Sequence, residues 1–171
     1  MAAIATAPRG VLFVCYANIC RSPLAEGIFR HRARERGLED QVRIDSAGVS
    51  AWAGADPHQL SVAVAAEHGI ALEGRARQLI RDDFYTFDEV IVMDRLVHGE
   101  IRRLLGPSAF GPQAPIRAEI RLFRRILDPR AEGRELDVAD PVGGGIEGFR
   151  AIFRLLEAGC DRLLDEIAAD R

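Results

Sequence analysis

The chain of 171 residues is 48% hydrophobic and 29% charged, the length and balance of one globular domain over 1–171, with 1–9 as a flexible N-terminus. Its net charge of −3 speaks against nucleic-acid binding, and no apolar run reaches the roughly 18 residues of a membrane span or forms a secretory signal in Met1 to Arg9. Cys15, Cys20 and Cys160 are too few, and odd in number, for a secreted disulfide framework, so the chain reads as cytoplasmic with reduced thiols.

Val11 to Val14 is a short apolar run of β-formers, as in a strand buried on both faces. A loop follows, then Ser22 as helix N-cap and Pro23 at the first helical position, with Leu24, Ala25, Ile28 and Phe29 as an apolar stripe ending by Gly37. Val42 to Asp45 reads as a second strand, Gln59 to His68 as a helix stopped by Gly69, and Glu89 to Met93 as a buried strand. Leu96 to Leu105 is a helix stopped by Gly106-Pro107, Gly106 to Pro115 a surface loop, and Ile120 to Phe123 a fourth strand. Ile146, Phe149, Ile152, Phe153, Leu156, Leu163, Leu164 and Ile167 recur at helical spacing. This alternation predicts a three-layer α/β/α fold whose parallel sheet carries its site at the carboxyl ends of the strands.

All 23 positive residues are arginine, consistent with coding bias in a GC-rich bacterial genome, so an arginine gains meaning only from its neighbours. Arg117 to Arg125 reads as a solvated face. Between the first strand and first helix, however, Cys15-Tyr16-Ala17-Asn18-Ile19-Cys20-Arg21-Ser22 places five residues between Cys15 and Arg21. A loop this short can converge its N–H groups on one point ahead of a helix N-terminus, a cradle for a phosphate dianion that Arg21 closes with a planar fork. The same field favours the thiolate of Cys15, suited to in-line attack on phosphorus. Ser22 is placed to donate to that sulfur, and Asn18 suits a left-handed backbone position from which its amide pins the loop.

At these residues the chain resembles the low-molecular-weight protein tyrosine phosphatases, whose signature is Cys-x-Gly-Asn-x-Cys-Arg-Ser-Pro after a valine. The likeness extends through Asp45-Ser46-Ala47-Gly48, Ala76-Arg77-Gln78-Leu79, Met93-Asp94 and Asp140-Pro141. It implies a central four-stranded parallel sheet, metal-free and cofactor-free hydrolysis of phosphotyrosine in a protein substrate, support of the loop by Ser46, and Asp140 as general acid. As dipeptides, Asp56-Pro57, Asp128-Pro129 and Asp140-Pro141 are equivalent; the mobile Val142-Gly143-Gly144-Gly145 stretch leans toward Asp140. Asp94 is read either as a helix N-cap or as a support of the site.

Two departures stand out. Ala17 replaces the family's glycine, which strains the loop by roughly 1–2 kcal/mol if that residue needs positive φ. Val142 and Gly143 replace the aromatics that usually follow Asp140-Pro141, leaving Tyr16 and Trp52, with Val142, as the expected pocket rim. Cys15 and Cys20 have zinc-like spacing, but His31, His58, His68 and His98 show no paired spacing to complete a metal site. Rival readings are an arginine phosphatase, which carries Thr at the position of Ile19, an arsenate reductase, which needs further resolving cysteines, and a non-catalytic phosphoprotein-binding relative. A bacterial tyrosine kinase is a candidate substrate; no pattern specifies an oligomeric state.

Overall fold

A computed structural model describes residues 7–110 and 115–170. Strands β1 (Arg9–Cys15), β2 (Val42–Gly48), β3 (Glu89–Val92) and β4 (Glu119–Leu122) form one sheet in the order β2-β1-β3-β4, and every pairing is parallel. The helices are α1 (Arg21–Glu35), α2 (Gln59–Glu67), α3 (Asp83–Thr86), α4 (Arg95–Leu105), α5 (Phe123–Leu127) and α6 (Gly145–Ala169).

The central strands β1 and β3 are buried and mostly apolar without alternation because both their faces are covered, whereas the edge strands β2 and β4 carry Arg43, Asp45, Glu119 and Arg121. Side chains of β1 divide between two cores: Val11, Phe13 and Cys15 pack with α1, α2, α5 and α6, while Leu12 and Val14 pack with Val97, Ile101 and Leu105 of α4. Strand β3 divides likewise, Ile91 to the first core, Val90 and Val92 to the second. The expected three-layer α/β/α architecture is therefore present. From β1 the chain moves outward to β2, then crosses back to β3 on the other side, so the connections diverge at the carboxyl end of β1, where such sheets leave a crevice.

Differences from the expected elements have local causes. Arg9, expected in the flexible N-terminus, opens β1 and pairs with Glu89 and Asp170; 1–6 lie outside the described residues. Strand β2 runs on to Gly48, and Phe123 leaves the sheet to begin α5. Of the expected Gly106–Pro115 loop, Pro107–Ala109 form a 3-10 turn with Ala109 buried, and 111–114 lie outside the described residues. Arg117 and Arg121 are ion-paired to Asp88, Glu89 and Glu166. Among the described residues no helix is long and apolar enough to cross a membrane.

Helix α6 buries Phe149, Ile152, Phe153, Leu156, Leu163, Leu164 and Ile167, the stripe anticipated from its periodicity. Gly159 lets Phe123 lie directly on the helix backbone: a Cβ there would stand 2.3 Å from the ring. We predict that Gly159→Ala lowers unfolding free energy by about 1–3 kcal/mol in urea titration; an unchanged midpoint would show that the ring moves without cost.

Candidate active site

The loop Tyr16 to Cys20 joins β1 to α1. Its carbonyls are taken up on one side: Val49 N–H donates to Cys15 O at 3.1 Å, Ser50 N–H to Tyr16 O at 2.9 Å, Trp52 N–H to Ala17 O at 3.1 Å and His58 N–H to Ile19 O at 2.7 Å. Ser61 Oγ and Leu24 N–H share Cys20 O. Among the described residues, no protein group accepts from the N–H groups of Tyr16 to Cys20. Unpaired donors in a half-buried turn call for a partner, and a run of them ahead of a helix N-terminus suits an anion. Gly48 permits the close approach behind the loop, since a Cβ there would meet Tyr16 O at 2.6 Å.

Side chains lock this shape. Asn18, at φ 58°, donates through Nδ2 to Ser22 Oγ (2.8 Å) and Ser46 Oγ (3.0 Å) and accepts at Oδ1 from Arg77 N–H (2.9 Å). Ser46 Oγ donates in turn to Glu26 Oε2 at 2.6 Å. Arg77 is held by Asp45 and a two-pronged contact with Asp83. Ser22 does not cap α1 as its position suggested; Cys20 is the N-cap residue without a side-chain bond, and Ser22 Oγ lies 2.9 Å from Cys15 Sγ. The strain expected at Ala17 is absent. Asn18 alone among described non-glycine residues has positive φ, so the left-handed turn falls one residue later, on a side chain that tolerates it.

Arg21 is 5% exposed. Its Nη1 donates to Asp94 Oδ2 (2.6 Å) and Val138 O (2.8 Å); Nε and Nη2 find no acceptor among the described residues. Asp94 is the N-cap of α4, its second oxygen accepting from Val97 N–H at 2.8 Å, while the first holds Arg21. A cleft of about 560 Å³ opens over this cluster, with Tyr16, Arg21, Asp94, Arg95 and Leu96 facing the Asp137 to Asp140 segment. Asp140 is exposed, and its Oδ1 accepts from Val142 N–H at 3.0 Å. Cys15 is 3% exposed and lies beneath the cleft lining, one residue before Tyr16 in the chain.

Comparison with known proteins places this geometry. The family model described as "Low molecular weight phosphotyrosine protein phosphatase" matches residues 10–171. The chain belongs to that family. It is 41% identical over 157 residues to a low molecular weight protein-tyrosine-phosphatase of Streptomyces coelicolor, covering 90% of each chain. The crystal structure of YfkJ from Bacillus subtilis superposes with a TM-score of 0.79 at 33% identity, covering 98% of this chain and 99% of that one. The YwlE arginine phosphatase from Geobacillus stearothermophilus gives a TM-score of 0.76 at 29% identity, with 95% of each covered.

Within this low-molecular-weight phosphatase fold, the loop residues, Arg21, Asp94 and Asp140 come together, and Ser46 stands behind the loop as expected. The rim differs. Trp52 and Val142 are 64% and 60% exposed and lie outside the cleft lining, Trp52 serving the loop through its backbone alone. Ile19 packs against the core. Leu96, 60% exposed, instead faces the cleft with Tyr16. Sequence reasoning missed Leu96, Arg95 and Asp137 in the cleft and Glu26 and Arg77 behind the loop. Leu96 was absorbed into an amphipathic helix pattern, and the arginines into their own abundance.

The two other thiols, Cys20 and Cys160, are buried in apolar surroundings. Burial, then the charges of Cys15 and Asp140, pushes the Cys20 thiol up to about 12 against the opposing pull of Arg21, and burial raises that of Cys160. Both stay protonated at neutral pH. Iodoacetate at about pH 7.5 is therefore expected to leave both unmodified in the native protein, with any label confined to Cys15 by peptide mass spectrometry; native alkylation of Cys20 would contradict this placement.

Proposed function

We propose that this protein hydrolyses phosphotyrosine in protein substrates through a phosphocysteine at Cys15. The observation that carries the reading is the loop beside Cys15 whose carbonyls of Tyr16, Ala17, Ile19 and Cys20 are bonded away while, among the described residues, its N–H groups meet no acceptor. A phosphate dianion seated there accepts these N–H groups and the Nε and Nη2 donors of Arg21, whose Nη1 stays on Asp94 and Val138. The Cys15 thiolate attacks phosphorus in line as the P–O bond to the phenol breaks, and Asp140 protonates the departing oxygen. Asp140 then takes a proton from water as it attacks the phosphocysteine, releasing phosphate. The Ser22 hydroxyl, 2.9 Å from Sγ, stabilises sulfur both as nucleophile and as leaving group.

The walls favour an aromatic leaving group. Tyr16 and Leu96 supply apolar surface to the cleft, in a chain that has Val142 and Gly143 after Asp140-Pro141. A phosphoarginine guanidinium would seek carboxylates, but Asp94 and Asp137 are already paired with Arg21 and Arg95, which leaves Asp140. An arsenate reductase would need a second accessible thiol, and Cys160 is fully buried. The chemistry calls for no metal or cofactor. Free thiols at all three cysteines fit a cytoplasmic setting, in which a tyrosine-phosphorylated kinase is a suitable substrate.

Purified protein is expected to release phosphate from phosphotyrosine peptides in EDTA and to act far less on phosphoarginine or on arsenate with thioredoxin. Cys15→Ser is expected to abolish turnover, Asp140→Asn to lower kcat by about 10²–10⁴-fold, and Leu96→Ala to raise KM with kcat little changed. Tight phosphopeptide binding without turnover would identify a binding module, and preferential release from phosphoarginine would assign the leaving group to the rival class.

A further inference from the structure

Arg95 occupies the first position of α4, where the helix dipole disfavours a cation. What holds it there is Asp137. The Arg95 backbone N–H donates to Asp137 Oδ1 at 2.9 Å, and its guanidinium reaches the same carboxylate through Nε (3.1 and 3.2 Å) and Nη2 (2.8 Å). These bonds hold the Asp137 carboxyl below the usual carboxylate range. The next residue is tied on both sides of its peptide plane: Val138 N–H donates to Met93 O at 2.8 Å, and Val138 O accepts from Arg21 Nη1 at 2.8 Å. Beyond this anchor Ala139 and Asp140 are exposed, and Pro141 is buried again.

We propose that Arg95 and Asp137 are positioning residues, a latch that fixes the segment leading to Asp140 against the turn after β3 so that the acid is presented over the bound phosphate. The inference rests on the reading of Asp140 as general acid. Both residues line the cleft, but their polar groups are spent on each other, so the latch acts through the position of Asp140, three residues beyond Asp137. Arg21, bound to Val138 O, ties the phosphate clamp to the same anchor, so the clamp and the acid share one support.

A purely structural ion pair and a latch predict different kinetics. The full-length protein, Arg95→Ala, Asp137→Asn, Asp140→Asn and the Arg95→Ala/Asp140→Asn double variant would be compared by kcat/KM on aryl phosphates whose phenols range from strongly to weakly acidic. Protonation matters only for the weakly acidic phenols. The latch predicts about a tenfold or greater loss on phenyl phosphate for Arg95→Ala and Asp137→Asn, with no more than about a twofold loss on dinitrophenyl phosphate. In the Asp140→Asn background, Arg95→Ala should cost no more than about twofold on either substrate. Equal losses across the series, or a full additional loss in that background, would overturn the inference while leaving the phosphatase reading intact. No metal-independent phosphate release by the wild-type protein from any aryl phosphate would defeat that reading and the latch with it. Asp137→Asn keeps the backbone acceptor, so it tests the latch even if Arg95→Ala loosens α4.

Discussion

A loop that offers its N–H groups to a ligand must dispose of its carbonyls elsewhere, and most of the architecture around Cys15 answers that constraint. The segment from Val49 to His58 is irregular in secondary structure yet donates to Cys15, Tyr16, Ala17 and Ile19 in turn, acting as a template against which the loop is cast. That template is itself braced from behind: Gly48 bonds to Arg77 O and Leu79 N–H, while the Gln78 side chain bridges Ala51 N–H and Val49 O. Asn18 joins loop and brace through three hydrogen bonds. Such a network is preorganised, so the donors need not reorient when charge develops on the phosphoryl oxygens.

The sheet topology supplies the rest. Because β1 and β3 are neighbours and parallel, their carboxyl ends bring Cys15 and the Met93 to Arg95 turn side by side. Arg21 can then reach Asp94 and the backbone of the Asp137 to Asp140 segment, which leads into α6 through Gly143 and Gly145. The core that α6 buries against α1 therefore also fixes one end of the segment carrying Asp140. Stability and placement of the reacting groups share the same packing, while Asp140 remains exposed at the end of its tether.

Much of this was legible in the chain. Strand β1, helix α1 and the apolar stripe of α6 follow from runs and periodicity that tertiary structure did not override, and the Cys15 to Ser22 pattern carries its chemistry in its spacing. Two misreadings came from residues with more than one local option. Ser22 followed by Pro23 has the form of a helix cap, but its hydroxyl does more by joining Asn18 to Cys15 in a buried network, where an unpaired polar group costs more than an uncapped helix end. Trp52 has the composition of a rim residue, yet which way an exposed side chain leans is set by its neighbours rather than its type. Arg95 and Asp137 were invisible because they lie far apart in sequence and each is common; only the crossing of β3's turn by the Asp137 segment reveals them as a pair.

The proposed reaction requires phosphate to pass through sulfur. Rapid acid quench of the protein with a phosphotyrosine peptide, followed by peptide mass spectrometry, detects that intermediate. A phosphoryl group is expected on Cys15, forming and decaying on the timescale of turnover and absent in Cys15→Ala. Turnover with Cys15 unmodified throughout, or surviving in Cys15→Ala, would contradict it.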